Sequence, residues 1–282
     1  MKINTFIVGF PKSGTTSLHY YLNQHPEVCM SNVKEPNFFS SNEIAELYYD
    51  DTVIKTISDY IKLFDHPNNK ILGESSVSYI YYSSVAKKIF NHNSNAKIII
   101  ILRNPVDRAF SHFLMDNRLG YCNINLKEVI SNPKKYPLFY QQYVDIGHYY
   151  EKIKVYIDIF KKENIKILIY EDFIKETQKY VNEVFDFLEI KRFKVDISPK
   201  NSFKKPSNFI LEKLYKFKIL RNLFNLLPAF LINAIKEIFF KGESKPILDA
   251  DLKSKLFNIY EDSFGELSVL IQKDLTKWKI KR

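Results

Sequence analysis

The sequence contains few of the residues that build disulfide-stabilised or multi-domain proteins. It has two cysteines, Cys29 and Cys122, and seven glycines in 282 residues. Two cysteines do not form the disulfide framework of a small secreted protein, and no stretch rich in Pro, Gly or Ser indicates a linker. We therefore expect inert thiols in a cytoplasmic, reduced protein. One domain over residues 1–282 is predicted, with a helical C-terminal part from about residue 207.

A long apolar run is also lacking. Residues 209–241 are rich in Leu, Ile and Phe, but Arg221, Pro228 and Lys236 are among the residues that interrupt them. No stretch reaches the roughly 18 apolar residues of a membrane span, and no signal peptide precedes the first predicted strand. The pattern predicts two amphipathic helices separated at Pro228. They either cover the core or provide a peripheral contact with a membrane or a partner.

Positive charge exceeds negative charge, with 42 Lys+Arg against 32 Asp+Glu and a net charge of +10. This balance favours an anionic ligand and leaves open a non-enzymatic module that binds nucleic acid or another polyanion. Because the 19 Tyr and 23 Phe are scattered at spacings typical of a core, we expect no nucleic-acid partner.

Short apolar segments alternate with helical patterns along the chain. The predicted strands are Thr5–Val8, Lys70–Leu72, Lys97–Leu102 and Lys166–Tyr170. The predicted helices are Thr15–Leu22, Tyr81–Phe90, Val106–Asn117, Tyr149–Glu163, Thr177–Glu189 and a final helical region within Asp249–Trp278. This alternation is typical of an α/β protein with a parallel sheet flanked by helices, which binds ligands at the carboxyl ends of its strands.

The first strand runs into a loop that is typical of an anion site. Gly9 and Gly14 have the spacing of a phosphate-binding loop, but Thr15 stands where its lysine is expected, and Lys12 lies inside the loop instead. The start of the next helix adds backbone N–H groups and a positive dipole end. The displaced lysine favours a phosphate-like ligand and argues against an ordinary ATPase or GTPase. Ordinary turn and capping roles remain the alternative.

A second strand ends at Arg103, and Pro105 starts the helix that carries Ser111. A guanidinium at a strand end and a hydroxyl on the adjoining helix are able to bind one phosphate together. The alternative is a local salt bridge between Arg103 and Asp107.

Glu35 is followed closely by Phe38 and Phe39, which suggests a carboxylate at the edge of an apolar pocket. Such a carboxylate is a candidate general base. Surface exposure of this glutamate is the alternative. His19, Glu74 and His112 are rival candidates for the same role.

Together these segments resemble the sulfotransferase family that uses 3′-phosphoadenosine 5′-phosphosulfate. Pro11–Thr16 resembles the family's 5′-phosphosulfate loop, and Arg103–Ser111 resembles its 3′-phosphate motif. Glu35-Pro36-Asn37-Phe38-Phe39 is similar to the E-x-x-F-F segment of the heparan-sulfate N- and 3-O-sulfotransferases, in which the glutamate is the proposed base. The resemblance implies a three-layer fold of the phosphate-loop type and sulfuryl transfer to an acceptor hydroxyl.

The resemblance also implies a role for each matching residue. Lys12 and Glu35 are the expected catalytic residues, without a metal. The expected donor-binding residues are Lys12, Ser13, Gly14, Thr15, Thr16, Ser17, Arg103 and Ser111, with Lys204 and Lys205 as further cations.

Two departures from the heparan-type enzymes bear on the acceptor. Glu74-Ser75-Ser76-Val77 replaces their Glu-Lys-Thr-Pro, and their glycine-containing loop near the C-terminus has no clear counterpart. A glycan or glycolipid hydroxyl is the expected acceptor, with a small phenol or amine as the alternative. A phosphate-loop kinase that acts on a small molecule is the rival enzyme.

Overall fold

The computed structural model of the chain describes residues 2–49, 53–198, 204–206, 240–242 and 246–279. For 204–206 and 240–242 it describes the backbone alone. The predicted amphipathic stretch 209–241 therefore lies outside the described residues, apart from the backbone of residues 240 and 241. Within the described ranges, no helix combines the length and the hydropathy that crossing a membrane requires.

Strands and helices alternate over most of the described chain. The strands are β1 (Thr5–Gly9), β2 (Val28–Met30), β3 (Ile71–Ser75), β4 (Lys97–Leu102), β5 (Ile165–Ile169), β6 (Lys204–Pro206) and β7 (Phe240–Gly242). The helices are α1 (Thr15–Leu22), α2 (Ile57–Ile61), α3 (Ser83–His92), α4 (Pro105–Leu119), α5 (Leu126–Ser131), α6 (Pro137–Tyr143), α7 (Tyr149–Ile159), α8 (Tyr170–Lys175), α9 (Thr177–Phe187), α10 (Ala250–Tyr260) and α11 (Ser263–Ile271).

Five of the strands form a parallel sheet in the order β2-β3-β1-β4-β5. The four predicted strands all belong to it. The sequence analysis missed β2, because an apolar run of three residues is too short to give a periodic signal. It also ended the strand predicted over Lys70–Leu72, which is β3, three residues too early. Gly73, Glu74 and Ser75 continue β3 and are buried, whereas we expected them to follow the strand.

Alternate residues of β4 face two different hydrophobic clusters. Ile98 and Ile100 belong to a cluster that includes residues of α3 and α7, and Ile99 and Ile101 belong to one that includes residues of α1 and α9. All four side chains are fully buried. A strand buried on both faces reads as a continuous apolar run, as Lys97–Leu102 does. The predicted three-layer α/β architecture is therefore confirmed.

Local signals explain why α4 starts and stops where it does. The side chain of Asn104 accepts hydrogen bonds from the N–H groups of Val106 (3.0 Å) and Asp107 (3.4 Å), and Pro105 occupies the first turn. At the other end Gly120 has a φ of 79°, a left-handed conformation that terminates helices.

The C-terminal helices α10 and α11 pack into the same hydrophobic cluster as one face of the sheet. Tyr260 of α10 also donates a hydrogen bond to the carbonyl of Val144 (3.0 Å). These contacts agree with the expectation of one domain, which stays a prediction for the full chain.

Candidate active site

The two candidate anion-binding motifs follow adjacent strands. β1 pairs directly with β4, and in a parallel sheet both strands end at the same edge. A cavity of about 640 Å³ opens there. The tertiary structure therefore brings together segments that are some ninety residues apart, such as Lys12 and Arg103.

Most of the predicted site residues line this cavity: Lys12, Gly14, Thr15, Thr16, Ser17, Glu35, Arg103 and Ser111. Ser13 is buried and does not line it, and its N–H donates to the carbonyl of Phe10 (3.2 Å). Lys204 and Lys205 lie in β6, which pairs antiparallel with β7, and their side chains lie outside the described residues.

Gly14 shapes the start of α1. Its φ is +89°, and a Cβ at this position would lie 3.1 Å from the ring of Tyr170. Both the backbone conformation and the close ring favour glycine. Because Gly14 is the N-cap residue and has no side chain, no side-chain cap occupies the first N–H groups of α1. The first turn also lacks acidic residues, so it suits an anion.

The Lys12 side chain lines the cavity and reaches α4. Its Nζ lies 3.3 Å from Sδ of Met115. Burial, and then the positive charges of Arg118 and Arg103, lower the pKa of Lys12 to about 8. The carboxylates of Asp116 and Glu35 oppose this shift. A buried, weakly compensated ammonium is suited to binding an anionic group.

Arg103 connects the two motifs. Its guanidinium donates a hydrogen bond to the carbonyl of Lys12 (2.8 Å) and lies over the ring of Tyr170, with 4.6 Å between the guanidinium carbon and the ring centroid. Tyr170 thus contacts the second motif and also restricts Gly14 of the first. Arg103 makes these two contacts in place of the salt bridge to Asp107 that was the alternative.

Residues far along the chain fix the turn after Arg103. The N–H of Asn104 donates to Glu171 (2.9 Å), and Glu171 also accepts from the indole N–H of Trp278 (3.2 Å). The side-chain amide of Asn104 in turn donates to the carbonyl of Trp278 (3.2 Å). The C-terminal segment therefore supports the second motif.

Glu35 lines the cavity, and 33% of its side chain is exposed. Its φ of 61° lies in the left-handed region, which non-glycine residues seldom adopt. Two hydrogen bonds hold this backbone: the N–H of Glu35 donates to Ser75 (2.9 Å), and its carbonyl accepts from the Asn37 amide (3.0 Å). The carboxylate contacts the ammonium of Lys34.

The three rival candidates for a base have less suitable surroundings. Glu74 is fully buried, does not line the cavity and accepts hydrogen bonds from three hydroxyl groups, and burial raises its pKa to about 7. His19 does not line the cavity, and burial lowers its pKa to about 4. His112 does line it, but both ring nitrogens lie near partners: Tyr49 Oη at 2.7 Å and the Gln142 carbonyl at 3.1 Å.

The sequence analysis missed a cluster around the buried carboxyl group of Asp116, whose charge acts on Lys12. One carboxylate oxygen of Asp116 accepts hydrogen bonds from the hydroxyls of Tyr48 (2.7 Å), Tyr49 (2.9 Å) and Tyr143 (2.8 Å). Burial raises the pKa of Asp116. No local pattern predicts this cluster, because its tyrosines come from two distant segments. Met115 lies one helical turn after Ser111, and that spacing does indicate a shared face.

Comparison with known proteins agrees with this geometry. The profile of the family described as sulfotransferase domain matches residues 2–219. The membrane-associated sulfotransferase kil1 of Dictyostelium discoideum is 36% identical over 114 residues, which is 39% of this chain and 22% of that protein. The bifunctional heparan sulfate N-deacetylase/N-sulfotransferase 4 of Mus musculus is 24% identical over 277 residues, which is 95% of this chain and 30% of that protein. These matches span less than half the length of either relative.

Among solved structures, a sulfotransferase from Alicyclobacillus acidocaldarius superposes with a TM-score of 0.76 and 26% identity, and the match covers 99% of each chain. The family profile covers both anion-binding motifs and the Glu35 segment. By these matches the chain belongs to the sulfotransferase family.

Proposed function

We propose that the protein transfers a sulfuryl group from 3′-phosphoadenosine 5′-phosphosulfate to a hydroxyl of a glycan or glycolipid. The observation that carries this proposal is the cavity itself, because Lys12, Glu35 and both anion-binding motifs line it. The names of carbohydrate-modifying relatives, such as carbohydrate sulfotransferase 15 of Mus musculus (23% identical over 250 residues), support a sugar acceptor.

The residues present suit this donor. The first N–H groups of α1 and the hydroxyls of Thr15 and Thr16 would hold the 5′-phosphate. Arg103 and Ser111 would hold the 3′-phosphate, the group that distinguishes this donor from ATP. Lys204 and Lys205 stay predicted as additional cations. No metal is part of the proposal.

When bound, the donor supplies the sulfuryl group. The acceptor oxygen forms the new S–O bond while its proton passes to Glu35. The bond between sulfur and the bridging oxygen breaks, and its electron pair stays on the 5′-phosphate. Lys12 holds a positive charge where that negative charge develops, which stabilises the transition state.

The donor site is tested by thermal unfolding with 3′,5′-adenosine bisphosphate, ADP or Mg·ATP. A ligand at about 100 times its Kd adds about 2.7 kcal/mol of stability. We expect selective stabilisation by the bisphosphate, lost in Arg103→Ala and kept in Arg192→Ala. Arg192 is a matched control, since it pairs with Asp186 on the surface (2.8 Å). Stabilisation by Mg·ATP alone would indicate a kinase, and a response to no nucleotide would favour a polyanion-binding module.

The pKa of Lys12 predicts how activity depends on pH. Lys12 is charged below its pKa of about 8 and neutral above it, so kcat/KM should fall as pH rises through that value. A guanidinium stays charged at these pH values, so any residual kcat/KM of Lys12→Arg should not fall as pH rises through about 8. A profile that stays flat to pH about 10 in the original protein would contradict the assignment.

We further propose that the protein is cytoplasmic, with a peripheral membrane contact through residues 209–241. The apolar composition of that stretch supports the contact. The Dictyostelium relative is a membrane-associated sulfotransferase, which agrees with such a contact.

A further inference from the structure

A second set of residues lines the cavity beside the two anion-binding motifs, and we call it the acceptor wall. It comprises the lining residues within 35–53, 77–82, 112–121 and 142–146. None of these belongs to the two anion-binding motifs, which end at Ser17 and Ser111. The wall therefore consists of lining residues that have no expected role in binding the donor.

Hydrogen bonds join the segments of the acceptor wall into one surface. Ser78 donates to the side-chain oxygen of Asn37 (2.7 Å), which connects the second segment to the Glu35 segment. The hydroxyl of Tyr49 lies 2.7 Å from the His112 ring nitrogen, which connects the first segment to α4. The carbonyl of Gln142 lies 3.1 Å from the other nitrogen of that ring. The wall is thus built from four parts of the chain that hold one another.

Most of the acceptor wall is aromatic or apolar. Four tyrosines line it: Tyr49, Tyr81, Tyr82 and Tyr121. Tyr49 and Tyr121 meet edge to face with 5.2 Å between ring centroids, and Tyr81 and Tyr82 do so with 5.1 Å. Aliphatic side chains, among them those of Leu47, Leu119 and Ile146, fill much of the remaining surface. Such a surface binds apolar groups and the flat faces of rings.

Among the residues that the structure describes, Glu35 carries the charge on the acceptor wall. No other described residue of the wall is an aspartate, glutamate, lysine or arginine. His112 is uncharged near neutral pH, because burial and the charges of Arg108 and Lys12 lower its pKa well below the usual range. The described cations that line the whole cavity are Lys12 and Arg103, both assigned to the donor. A polyanionic glycan would need arginine or lysine on the wall.

Neutral polar groups cluster next to Glu35. Asn37 and Ser78 lie beside it on the lining, and Gln142 lines the cavity as well. Amides and hydroxyls of this kind bind sugar hydroxyls without requiring charge. The wall therefore combines neutral polar groups beside Glu35 with aromatic and aliphatic side chains from all four of its segments.

From this combination we propose that the acceptor is an uncharged glycoside that carries an apolar group, as glycolipids do. Its sugar hydroxyl lies at Glu35 and its apolar group lies against the tyrosines of the acceptor wall. This inference rests on the proposed function and narrows its acceptor. Sulfuryl transfer to the sugar oxygen follows the step given above, with the proton passing to Glu35.

The test compares three acceptors under the same donor concentration: octyl β-glucoside, methyl β-glucoside and a heparan sulfate oligosaccharide. We expect kcat/KM for the octyl glycoside to exceed that for the methyl glycoside by at least about 100-fold, since even one methylene in an apolar pocket changes this ratio by about 10- to 200-fold. The anionic oligosaccharide should be the poorest acceptor. Equal rates for the two glucosides, or faster sulfation of the oligosaccharide, would overturn the inference.

A variant of the wall provides a second measurement. Leu119 lines the cavity in the last turn of α4, where the helix dipole tolerates a cation. Leu119→Lys should lower kcat/KM for the octyl glycoside at least about tenfold and leave stabilisation by the bisphosphate unchanged. Val269→Lys is the matched control, because Val269 is 79% exposed in the last turn of α11. An unchanged kcat/KM in Leu119→Lys would reject the wall as the acceptor site.

Bisphosphate binding separates failure of this inference from failure of the proposed function. If the bisphosphate stabilises the protein and no glucoside is sulfated, the acceptor inference is wrong and the donor site stands. If the bisphosphate does not stabilise it, both are rejected.

Discussion

Replacing Lys12 with alanine should lower kcat by about 10²–10³, the usual effect of removing one group that stabilises developing negative charge. The side chain is positioned for this role by the loop between β1 and α1 and lies in the same cavity as both anion-binding motifs. Lys12 has a φ of 66°, and alanine is no better suited to that backbone than lysine. The substitution therefore changes mainly the charge and the chain that carries it. Single-turnover rates with saturating donor measure the effect.

Lys62→Ala is the matched control for Lys12→Ala. Its side chain is 71% exposed and pairs with Asp59 on the surface (2.9 Å), so its loss should leave turnover unchanged. Stabilisation by 3′,5′-adenosine bisphosphate in Lys12→Ala would show that the site remains folded. Turnover close to that of the original protein would reject an electrophilic role for Lys12.

The second large effect is expected for Glu35→Gln, with a loss in kcat of about 10²–10⁴ if Glu35 is the general base. Glutamine keeps the size of the side chain and the backbone hydrogen bonds to Ser75 and Asn37, but it cannot accept the proton. Binding of the bisphosphate should not change, because Glu35 lies outside the donor motifs. A loss in kcat together with intact donor binding therefore identifies a role in proton transfer.

Two further variants separate Glu35 from other carboxylates and from its remaining rival. Glu128→Gln, on the surface beside Lys135 (3.1 Å), should be fully active. His112→Asn tests the rival that lines the cavity. Full activity in Glu35→Gln combined with a large loss in His112→Asn would transfer the role of base to the histidine.

The strands that form the centre of the fold could be predicted from local sequence. Continuous apolar runs such as Ile98–Leu102 identify strands that are buried on both faces, and β4 has the predicted bounds. Helices α1, α4 and α9 start within one residue of their predicted starts. Periodicity indicates all three helices, and the Asn104 cap with Pro105 also marks the start of α4. Short elements such as β2 and α2 were missed, because their contacts come from neighbours distant in the sequence.

For the candidate site, too, local sequence predicted some residues and missed others. Spacing predicted Lys12, Gly14, Arg103 and Ser111 as site residues, because an anion site at a strand-to-helix junction depends on local backbone geometry. The pairing of β1 with β4 shows that these residues lie close together, which spacing alone does not establish. Tyr170, which restricts Gly14 and contacts Arg103, follows a third strand, so no spacing within either motif indicates it.

The sequence by itself determined the α/β class and the two phosphate-type motifs, since these depend on periodicity and on local turns. Tertiary structure alone decided which carboxylate reaches the cavity. Glu74 and Glu35 were both candidate bases, yet β3 buries Glu74 among three hydroxyls, while a left-handed turn leaves Glu35 on the lining. It also decided the character of the acceptor wall, because that surface is assembled from four separate segments. Long-range packing determines which side chains share a surface, and local sequence does not encode it.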